Sequence, residues 1–584
     1  MKRFRISYNL LISTLVSAFI SAACSSQLQP AVLPTADLTS EVTPAALTPT
    51  PLPTATTTAR PTLTSSPTAT SPPVIDTRVA TEQAIASAPT PSTSASPNPD
   101  LLETTAVPAS DEGSSFSPPT LLDIPWSDRS SFRRGLIAAE QSVLEELPGA
   151  SVYHLDVTIS EDLVRLAGTE EIFYTNQEDV SLPEIYLRLF PNLTGGSTTV
   201  SHLAVNNQPA EPAYELQDSA LRIPLSVALE PGEQAVISMT FEVQLPDGDG
   251  GNYGTFSFSD DMLALAHFYP MIPVYDDQGW NVEIAPGIGD VVHTDSSFYL
   301  VRVTAPASQT LVASGIAIDE DSQNGRQVVT YAAGPVRDFY LAASSRYTMT
   351  TRTVGETTVN SYGPAELVEG VDRAGDFAEN ALLSFNSRFG LYPFTEFDLV
   401  STTTSALGIE YPGVIALLVD MYKQPQAPLL ESVVAHEVAH QWFYSVVGSD
   451  QVDEPWVDEA LAQYATLLYY DDVYGPSGAQ GFRGSLQRRW DRVNRAEIPI
   501  GLPVRDYTGN EYSAIVYGRG PLFIEALAET MGPDPFSEFL RDYYQTHQWG
   551  TATGASLKLL AEQHCTCDLS PIFETWVFPS PGDR

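Results

Sequence analysis

Basic residues are scarce in this chain. Its 584 residues include 29 Lys and Arg against 72 Asp and Glu, which gives a formal net charge of −43. A surface of that sign repels phosphate groups, so the composition argues against nucleic acid as a partner. Cysteine is scarce as well, and three residues cannot form a disulfide framework. Cys565 and Cys567, one residue apart, fit either a local disulfide or two free thiols.

Long hydrophobic runs are missing after the first 23 residues, since no later segment reaches about 18 apolar residues. The start itself has the pattern of an export signal, in which Lys2, Arg3 and Arg5 precede an apolar stretch. Small residues then lead to Cys24 in "SAAC", which resembles the cleavage box of bacterial lipoproteins. We therefore expect residues 1–23 to be a signal peptide and Cys24 to carry a lipid anchor in the membrane. The protein would then be an extracytoplasmic, cell-envelope lipoprotein, and secretion without a lipid is the alternative.

Aromatic residues are absent from residues 27–115, where Thr, Pro, Ser and Ala dominate. Such a segment cannot bury enough apolar area to offset the entropy that it would lose on ordering. We therefore interpret residues 24–125 as a disordered, Thr/Pro/Ser-rich tether that holds a folded part away from the envelope.

Short strand-like segments begin near residue 150. Examples are "SVYHLDVTI", "EEIFYTN" and "QAVISMTFEVQL", which are rich in β-branched and aromatic residues and are separated by turns such as "LEPGEQ". They predict an N-terminal β-domain at residues 126–345, built as a β-sandwich or a saddle-shaped sheet.

Helical periodicity takes over after residue 345, first at residues 367–389. One or two strands remain, among "TTVNSYG", "FDLVSTTT" and "VIALL". The predicted fold class is therefore α+β and multi-domain, with a mainly helical second domain at residues 346–584. The residues that suggest chemistry lie in this second domain.

Two histidines stand out in the apolar stretch "VVAHEVAHQWF", because the chain has only 8 histidines. On an α-helix His436 and His440 are one turn apart, so their imidazoles share a face and can bind one ion. Glu437 lies on an adjacent strip, from which it can reach a water at the metal without binding the metal itself. A catalytic zinc keeps one position open and needs a third protein ligand. The alternative is a pair of core histidines without a metal.

The segment "DEPWVDEALAQYATLLYYDDVYG" offers that third ligand. We predict Asp453 as the N-cap of a helix, Pro455 in its first turn, and Gly475 just beyond its end at Tyr474. Glu459, eighteen residues after the second histidine, lies where an antiparallel second helix would pass the first. The predicted ligands of one zinc ion per chain are therefore His436, His440 and Glu459.

The spacing H-E-x-x-H, eighteen residues, then Glu within W-x-x-E-A resembles the signature of the aminopeptidase N-like gluzincins. Further stretches are similar to that family, among them "HFYPMIPVYDDQGW", "VRDFYLAAS", "FGLYPFTEFDLV" and "DLSPIFETWVF". The resemblance covers roughly residues 135–584. It implies a thermolysin-like catalytic domain that uses zinc to hydrolyse peptide bonds.

The resemblance also implies roles for single residues. Glu437 would act as the general base and acid. The family's Y-x-K-G motif reads "YGRG" here, which makes Tyr517 the implied donor to the oxyanion, with Arg519 in place of Lys. Tyr512, five residues earlier, would support it.

The family's G-A-M-E-N motif reads "LGIEYPG", in which Glu410 matches the glutamate that binds the substrate's α-amine. This match implies an aminopeptidase acting on peptides, although Leu407 and Tyr411 depart from the motif. Two alternatives stay open. One is a zinc endopeptidase, for which the end of the chain at Arg584 would leave a more open cleft. The other is an inactive surface protein that binds peptides, and the oligomeric state is left open.

Overall fold

A computed structural model describes residues 121–248 and 250–578. The predicted signal peptide, Cys24 and the tether up to residue 120 lie outside the described residues. Within the described ranges, no helix combines the length and the apolar character needed to cross a membrane.

The N-terminal part is rich in β-strands. Its strands are β1 Val152–Ile159, β2 Arg165–Thr175, β3 Leu182–Arg188, β4 Ser197–Val205, β5 Gln208–Pro209, β6 Ala213–Glu215, β7 Ala220–Leu229, β8 Gln234–Gln244, β9 Phe256–Ser259, β10 Met262–Leu265, β11 Tyr275–Asp276, β12 Gly279–Trp280, β13 Ser297–Pro306, β14 Thr310–Ala313, β15 Ile316–Gln323, β16 Arg326–Val336 and β17 Leu341–Ser344.

The largest sheet has eight strands in the order β15-β16-β13-β1-β2-β8-β4-β5. Only β1 and β13 in this sheet run parallel, with Val152 beside Phe298. Smaller sheets have the orders β3-β7-β6, β14-β17-β10-β9 and β11-β12. Strand β8 shows the alternation that one buried face requires, because Ile237, Met239 and Phe241 are buried while the residues between them are more exposed.

The C-terminal part contains a second sheet. Its strands are β18 Tyr347–Val354, β19 Thr357–Pro364, β20 Glu396–Thr402, β21 Gly408–Tyr411 and β22 Val414–Leu418, in the order β18-β19-β20-β22-β21. Strands β19, β20 and β22 run parallel, and β21 is an antiparallel edge strand. The prediction of one or two strands here was wrong. Strand β21 is too short for a periodic signal, and β18 is a largely solvent-facing edge strand.

Helices make up most of the C-terminal part. One short helix, α1 Val143–Glu146, belongs to the N-terminal part and precedes its strands. The helices of the C-terminal part are α2 Val368–Arg388, α3 Val419–Tyr422, α4 Pro428–Ala439, α5 Trp456–Tyr474, α6 Pro476–Asp491, α7 Gly509–Ala514, α8 Gly520–Met531, α9 Pro533–His547, α10 Gly554–Cys565 and α11 Ser570–Trp576. Helix α2 packs on β18, β19 and α4, and α5 packs on α4, α6 and α8. A β-rich part followed by a helical part confirms the predicted fold class, while the boundary at residue 345 stays a prediction.

Helix α5 ends as predicted, because Tyr474 is its last residue and Gly475 follows at a φ of 70°. The predicted N-cap was wrong. The helix begins at Trp456 after Pro455, and the carboxylate of Asp453 pairs with Arg505 at 2.6 Å. The residues just before it form a local turn instead, in which Asp450 Oδ1 accepts from the backbone N–H groups of residues 452 and 453.

A single hydrophobic core joins the two parts of the chain. It contains Leu155 and Phe298 of the large sheet together with Phe397 of the second sheet and Trp442 after α4. Helix α4 is buried on all sides, from Leu430 through its last turn, so it is held from every direction. At the far end of the chain Cys565 and Cys567 form a disulfide, which selects one of the two predicted alternatives.

Candidate active site

The last turn of α4 carries His436, and His440 follows directly as the C-cap of the helix. Their rings are buried, with centroids 4.7 Å apart, and their Nε2 atoms are separated by 3.3 Å. His440 Nδ1 donates to the carbonyl oxygen of Phe443 at 3.0 Å. This hydrogen bond directs the Nε2 lone pair of His440 toward the space that the two rings share.

Glu459 reaches the same space from α5. Its Oε2 lies 3.2 Å from His436 Nε2 and 3.5 Å from His440 Nε2. Donor atoms at the corners of a tetrahedron around zinc, with bonds of about 2.0–2.1 Å, stand about 3.3–3.4 Å apart. The spacing of the three donor atoms therefore fits one zinc ion.

The chemistry of this set also fits zinc. Glu459 Oε2 is buried and, among the described residues, makes no hydrogen bond of ordinary geometry. A buried carboxylate oxygen in that state is costly unless a cation binds it. Two imidazoles and one carboxylate are the protein donors of a hydrolytic zinc site.

The protonation of the donors follows from burial and from their neighbours. Burial lowers the pKa of His436 to about 4, which keeps its imidazole neutral. Burial acts in the same direction on His440, but Glu410 and Glu459 raise the pKa of His440 well above its usual value. Burial would raise the pKa of Glu459, but the two histidines lower it below its usual range. Because metals bind neutral imidazole, metal binding would displace the proton of His440.

Glu437 lies beside the donor set and is buried. Burial raises the pKa of Glu437 to about 8, and Glu459 and Asp290 add to this rise while His440 opposes it. A bound dication would favour the ionised form. Gly408 on β21 faces this carboxylate so closely that a Cβ there would lie 2.4 Å from Glu437 Oε1. The glycine therefore makes room for the position that Glu437 occupies.

Glu410 lies on the edge strand β21 and is buried next to the donors. Gln451 Nε2 donates to its Oε1 at 3.1 Å, and His440 Nδ1 lies 3.9 Å from the same oxygen. Burial raises the pKa of Glu410 well above its usual value. Tyr411 does not crowd this carboxylate, because its ring stacks on Tyr340 with centroids 4.0 Å apart. Leu407, the other departure from the motif, packs against the core.

Asp290 is a site residue that sequence reasoning missed. It comes from the loop between β12 and β13, and its carboxylate, Glu410 and Glu459 offer oxygens within 4.8 Å of one another. Burial, together with Glu410 and Glu459, raises the pKa of Asp290 well above its usual value. Its loop has neither strand nor helix periodicity, so no signal in the sequence pointed to it. Gln451 was missed for the same reason.

Tyr517 also meets the donor set. Its hydroxyl donates to Glu459 Oε1, and its ring centroid lies 6.0 Å from that of His436. Tyr512 packs edge-on against Tyr517, with ring centroids 5.6 Å apart. A single π-helical turn, Ile515–Arg519, links α7 to α8 and places Tyr517 toward the site.

The side chain of Arg519 binds backbone carbonyl oxygens. Its guanidinium is buried and donates to the carbonyl oxygens of Ile498, Thr575 and Trp576 at 2.7–3.0 Å. It also stacks on the ring of Trp576, at 4.6 Å from the centroid. Arg519 therefore holds the end of α11 against the π-helical turn.

Comparison with known proteins agrees with this geometry. Residues 374–576 match the family model described as the peptidase family M1 domain. Aminopeptidase 2 of Candida albicans is 26% identical over 228 residues, which are 35% of this chain and 24% of that protein. Aminopeptidase N of Lactococcus lactis subsp. lactis is 25% identical over 302 residues, which are 48% of this chain and 35% of that protein. The chain thus spans about a quarter to a third of the length of these curated relatives.

Solved structures show the same fold. The M1 zinc metallopeptidase of Deinococcus radiodurans matches 77% of this chain and 95% of its own, at 20% identity and a TM-score of 0.56. A mutant of that protein bound to a Tyr-Ser-Ala substrate matches 74% of this chain at the same TM-score. The chain therefore has the fold of these structures, and the spacing of its three donor atoms fits one zinc ion. Residues 374–576 are thus similar to the peptidase family M1 domain, and the matching curated relatives are named as aminopeptidases.

Proposed function

We propose that this protein is a zinc-dependent aminopeptidase that removes N-terminal residues from peptides. One observation carries the proposal, namely that Glu459 of the donor set, the buried Glu410 and the half-buried Asp290 offer carboxylate oxygens within 4.8 Å of one another. The donors fit a hydrolytic zinc ion, and the two carboxylates fit a protonated amine beside it. The M1 domain and the aminopeptidase relatives support the same function.

Each side chain of the site has a separate proposed role in hydrolysis. Zinc, when bound, would act as a Lewis acid toward the scissile carbonyl and would lower the pKa of a water. Glu437 accepts the proton of the attacking water and then delivers it to the leaving amine. Tyr517, whose hydroxyl lies at the edge of the donor set, donates to the oxyanion that develops.

Recognition of the amine rests on Glu410 and Asp290. Gln451 occupies one oxygen of Glu410, which leaves the other oxygen for a substrate N–H. Both carboxyls hold raised pKa values because of burial, and a bound ammonium would favour their ionised forms. A hydrogen bond between such charged groups contributes about 1.5–3 kcal/mol, and a blocked N-terminus would forfeit it.

The test compares free and N-acetylated peptides of one sequence, with and without a chelator. We expect release of the first residue from the free peptide, loss of activity with chelator, recovery with zinc, and strong suppression by acetylation. Glu410→Gln keeps the volume of the side chain and removes its charge. This variant should reduce the difference in cleavage rate between the free and the acetylated peptide at unchanged zinc content. Equal cleavage of both peptides, or cuts at internal bonds, would identify an endopeptidase. A zinc-loaded protein that binds peptides without cleaving them would be a peptide-binding protein.

We also propose that the mature protein is an extracytoplasmic lipoprotein anchored in the cell envelope through Cys24. The support is the basic and apolar start followed by "SAAC", and the Thr/Pro/Ser-rich stretch after it. Mass spectrometry of the membrane fraction should find Cys24 as a lipidated N-terminus, and Cys24→Ser should move the protein out of that fraction. An unmodified N-terminus at another residue, recovered from the medium, would indicate plain secretion.

A further inference from the structure

The turn that follows α4 holds the hydrogen-bond partner of a zinc ligand. His440 Nδ1 donates to Phe443 O at 3.0 Å, and this bond fixes both the tautomer and the ring orientation of His440. Any group that sets the direction of the Phe443 carbonyl therefore sets the aim of His440 Nε2 at the metal.

The next residue, Tyr444, has an unusual backbone conformation. Its φ is 145°, a region that residues with a side chain rarely adopt. Such a conformation persists only where the surroundings enforce it. The φ angle of Tyr444 governs the orientation of the peptide plane that contains the Phe443 carbonyl, so the enforced conformation aims this carbonyl at His440.

Two consecutive residues from the β-rich part enforce it. Asp338 Oδ2 accepts from the Tyr444 hydroxyl at 2.6 Å, and Arg337 Nε donates to the Tyr444 carbonyl oxygen at 2.8 Å. Arg337, Asp338 and Tyr444 are all buried. One bond holds the side chain of Tyr444 and the other holds its carbonyl, so little freedom is left to the peptide plane before it.

The two β-part residues are themselves held. Arg337 Nη1 donates to Thr294 O at 2.9 Å, and its Nη2 donates to the carbonyl oxygen of Gly550. The backbone carbonyl of Arg337 accepts from Thr294 Oγ1 at 2.8 Å, and Asp338 Oδ2 also lies 3.2 Å from His267 Nε2. The pair is thus a rigid support that reaches the turn from the β-rich part.

We propose that Arg337, Asp338 and Tyr444 form a clamp that positions the zinc ligand His440 through the carbonyl oxygen of Phe443. The clamp acts on the zinc site of the proposed function, but it concerns metal affinity, which is measured whether or not the protein cleaves peptides. Partners of this kind, which orient a ligand without touching the metal, commonly change metal affinity about 10–100-fold when removed.

The test measures the zinc dissociation constant of the purified full chain by competition with a chelator of known affinity. Tyr444→Phe, which removes one hydroxyl, should bind zinc about tenfold more weakly. Asp338→Asn should raise the zinc dissociation constant as well. The double variant should bind zinc no more weakly than the single variant with the larger dissociation constant, because both changes break the same hydrogen bond between Tyr444 and Asp338. Tyr347→Phe is the matched control, since its hydroxyl donates to Ser401 O at 2.7 Å on the far edge of the second sheet.

The control should lose some thermal stability and keep the native zinc affinity. If Tyr444→Phe loses thermal stability but binds zinc within twofold of the native protein, the clamp is only structural and the proposal is wrong. If Tyr444→Phe does not fold, Asp338→Asn answers the same question by the same measurement. A peptidase assay that fails while zinc affinity changes as expected would count against the proposed function and not against the clamp.

Discussion

At the scale of single residues, Glu437 is the proposed general base, so turnover should depend on it directly. Glu437→Gln keeps the volume of the side chain, but the amide cannot accept the proton of the attacking water. We expect kcat to fall about 10²–10⁴-fold at unchanged zinc content. Steady-state kinetics and metal analysis check this, with His440→Ala as the comparison that should lose zinc. A Gln variant that keeps native kcat would place the base elsewhere.

Tyr517 and Tyr512 offer a matched pair of hydroxyls, because their rings touch and only Tyr517 donates to Glu459. In the proposed mechanism the Tyr517 hydroxyl acts mainly on the transition state, so Tyr517→Phe should lower kcat about 10²–10³-fold and leave KM nearly unchanged. Tyr512→Phe should have a much smaller effect. If Tyr512→Phe causes the larger loss of kcat, the oxyanion donor is Tyr512.

The meeting of His436 and His440 could be predicted from the sequence because a helix fixes the geometry of residues four apart. The position of Glu459 could be predicted because it lies on a second predicted helix, and because its separation of eighteen residues from His440 resembles a known signature. Asp290 and Gln451 could not be predicted. Both lie in loops, and only the packing of these loops against β21 brings them to Glu410. The φ angle of Tyr444 likewise depends on residues about a hundred positions away in the sequence.

At the scale of elements, the edge strand β21 must approach α4 closely. In Gly408→Ala the added Cβ would lie 2.4 Å from Glu437 Oε1 and 2.5 Å from its Cγ, so strand or side chain must move. A displacement of about 1 Å in a catalytic group can lower the rate about 10²-fold, and we expect a loss of that order in kcat at unchanged zinc content. Gly481→Ala, on a helical surface with open space around it, is the control and should leave kcat unchanged. Equal activity of both variants would show that Glu437 adapts.

The π-helical turn Ile515–Arg519 carries two side chains with different contacts. Tyr517 donates to Glu459 at the site, and Arg519 donates to backbone carbonyl oxygens near the end of α11. Lysine in place of arginine cannot satisfy three carbonyl oxygens in this geometry. We expect Arg519→Lys to lower the free energy of unfolding by about 1–3 kcal/mol while zinc content stays native. Thermal or urea unfolding, compared with metal analysis, checks both parts. Native stability would mean that the lysine finds equivalent partners.

Long helices were the elements that the sequence predicted best, since an apolar helical period sustained over about twenty residues fits neither a strand nor a loop. Helix α2 was expected at residues 367–389 and is found at Val368–Arg388. The order of strands in the second sheet could not be predicted from the sequence, because paired strands such as β19 and β20 are separated in the chain by the whole of α2. The predicted cap at Asp453 was wrong because the helix begins only at Trp456, and the Asp453 carboxylate pairs instead with Arg505, a residue distant in sequence.

At the scale of the whole molecule, the β-rich part contributes directly to the site. Asp290 reaches Glu410 from the loop before β13, and Asp338 reaches Tyr444 from the loop after β16. The two parts also share one hydrophobic core. The chemistry therefore depends on how the two parts pack, which local sequence patterns do not encode.

The same packing makes the stability of the zinc-free protein depend on pH. Burial raises the pKa of Glu437 to about 8 and the pKa values of Asp458 and Glu396 to about 7. Unfolded carboxyls titrate near about 4, so between pH 4 and these values the folded chain holds protons on these three groups that the unfolded chain has lost. Its free energy of unfolding therefore falls as pH rises through that window, by about 1.4 kcal/mol per pH unit for each proton retained.

Zinc should offset part of the fall in the free energy of unfolding as pH rises. A dication at the three donors favours ionised carboxyls and displaces the proton of His440, so zinc binds more tightly as pH rises. We expect the zinc-free protein to have a lower Tm at pH 8 than at pH 6, and the increase in Tm on adding zinc to be larger at pH 8. Thermal scans of chelator-treated and zinc-loaded protein at both pH values check this, with His440→Ala as the control that should show no zinc-dependent increase. An increase that is equal or smaller at pH 8 would mean that the buried carboxyls release no protons when the metal binds, and their raised pKa values would then be unrelated to the zinc site.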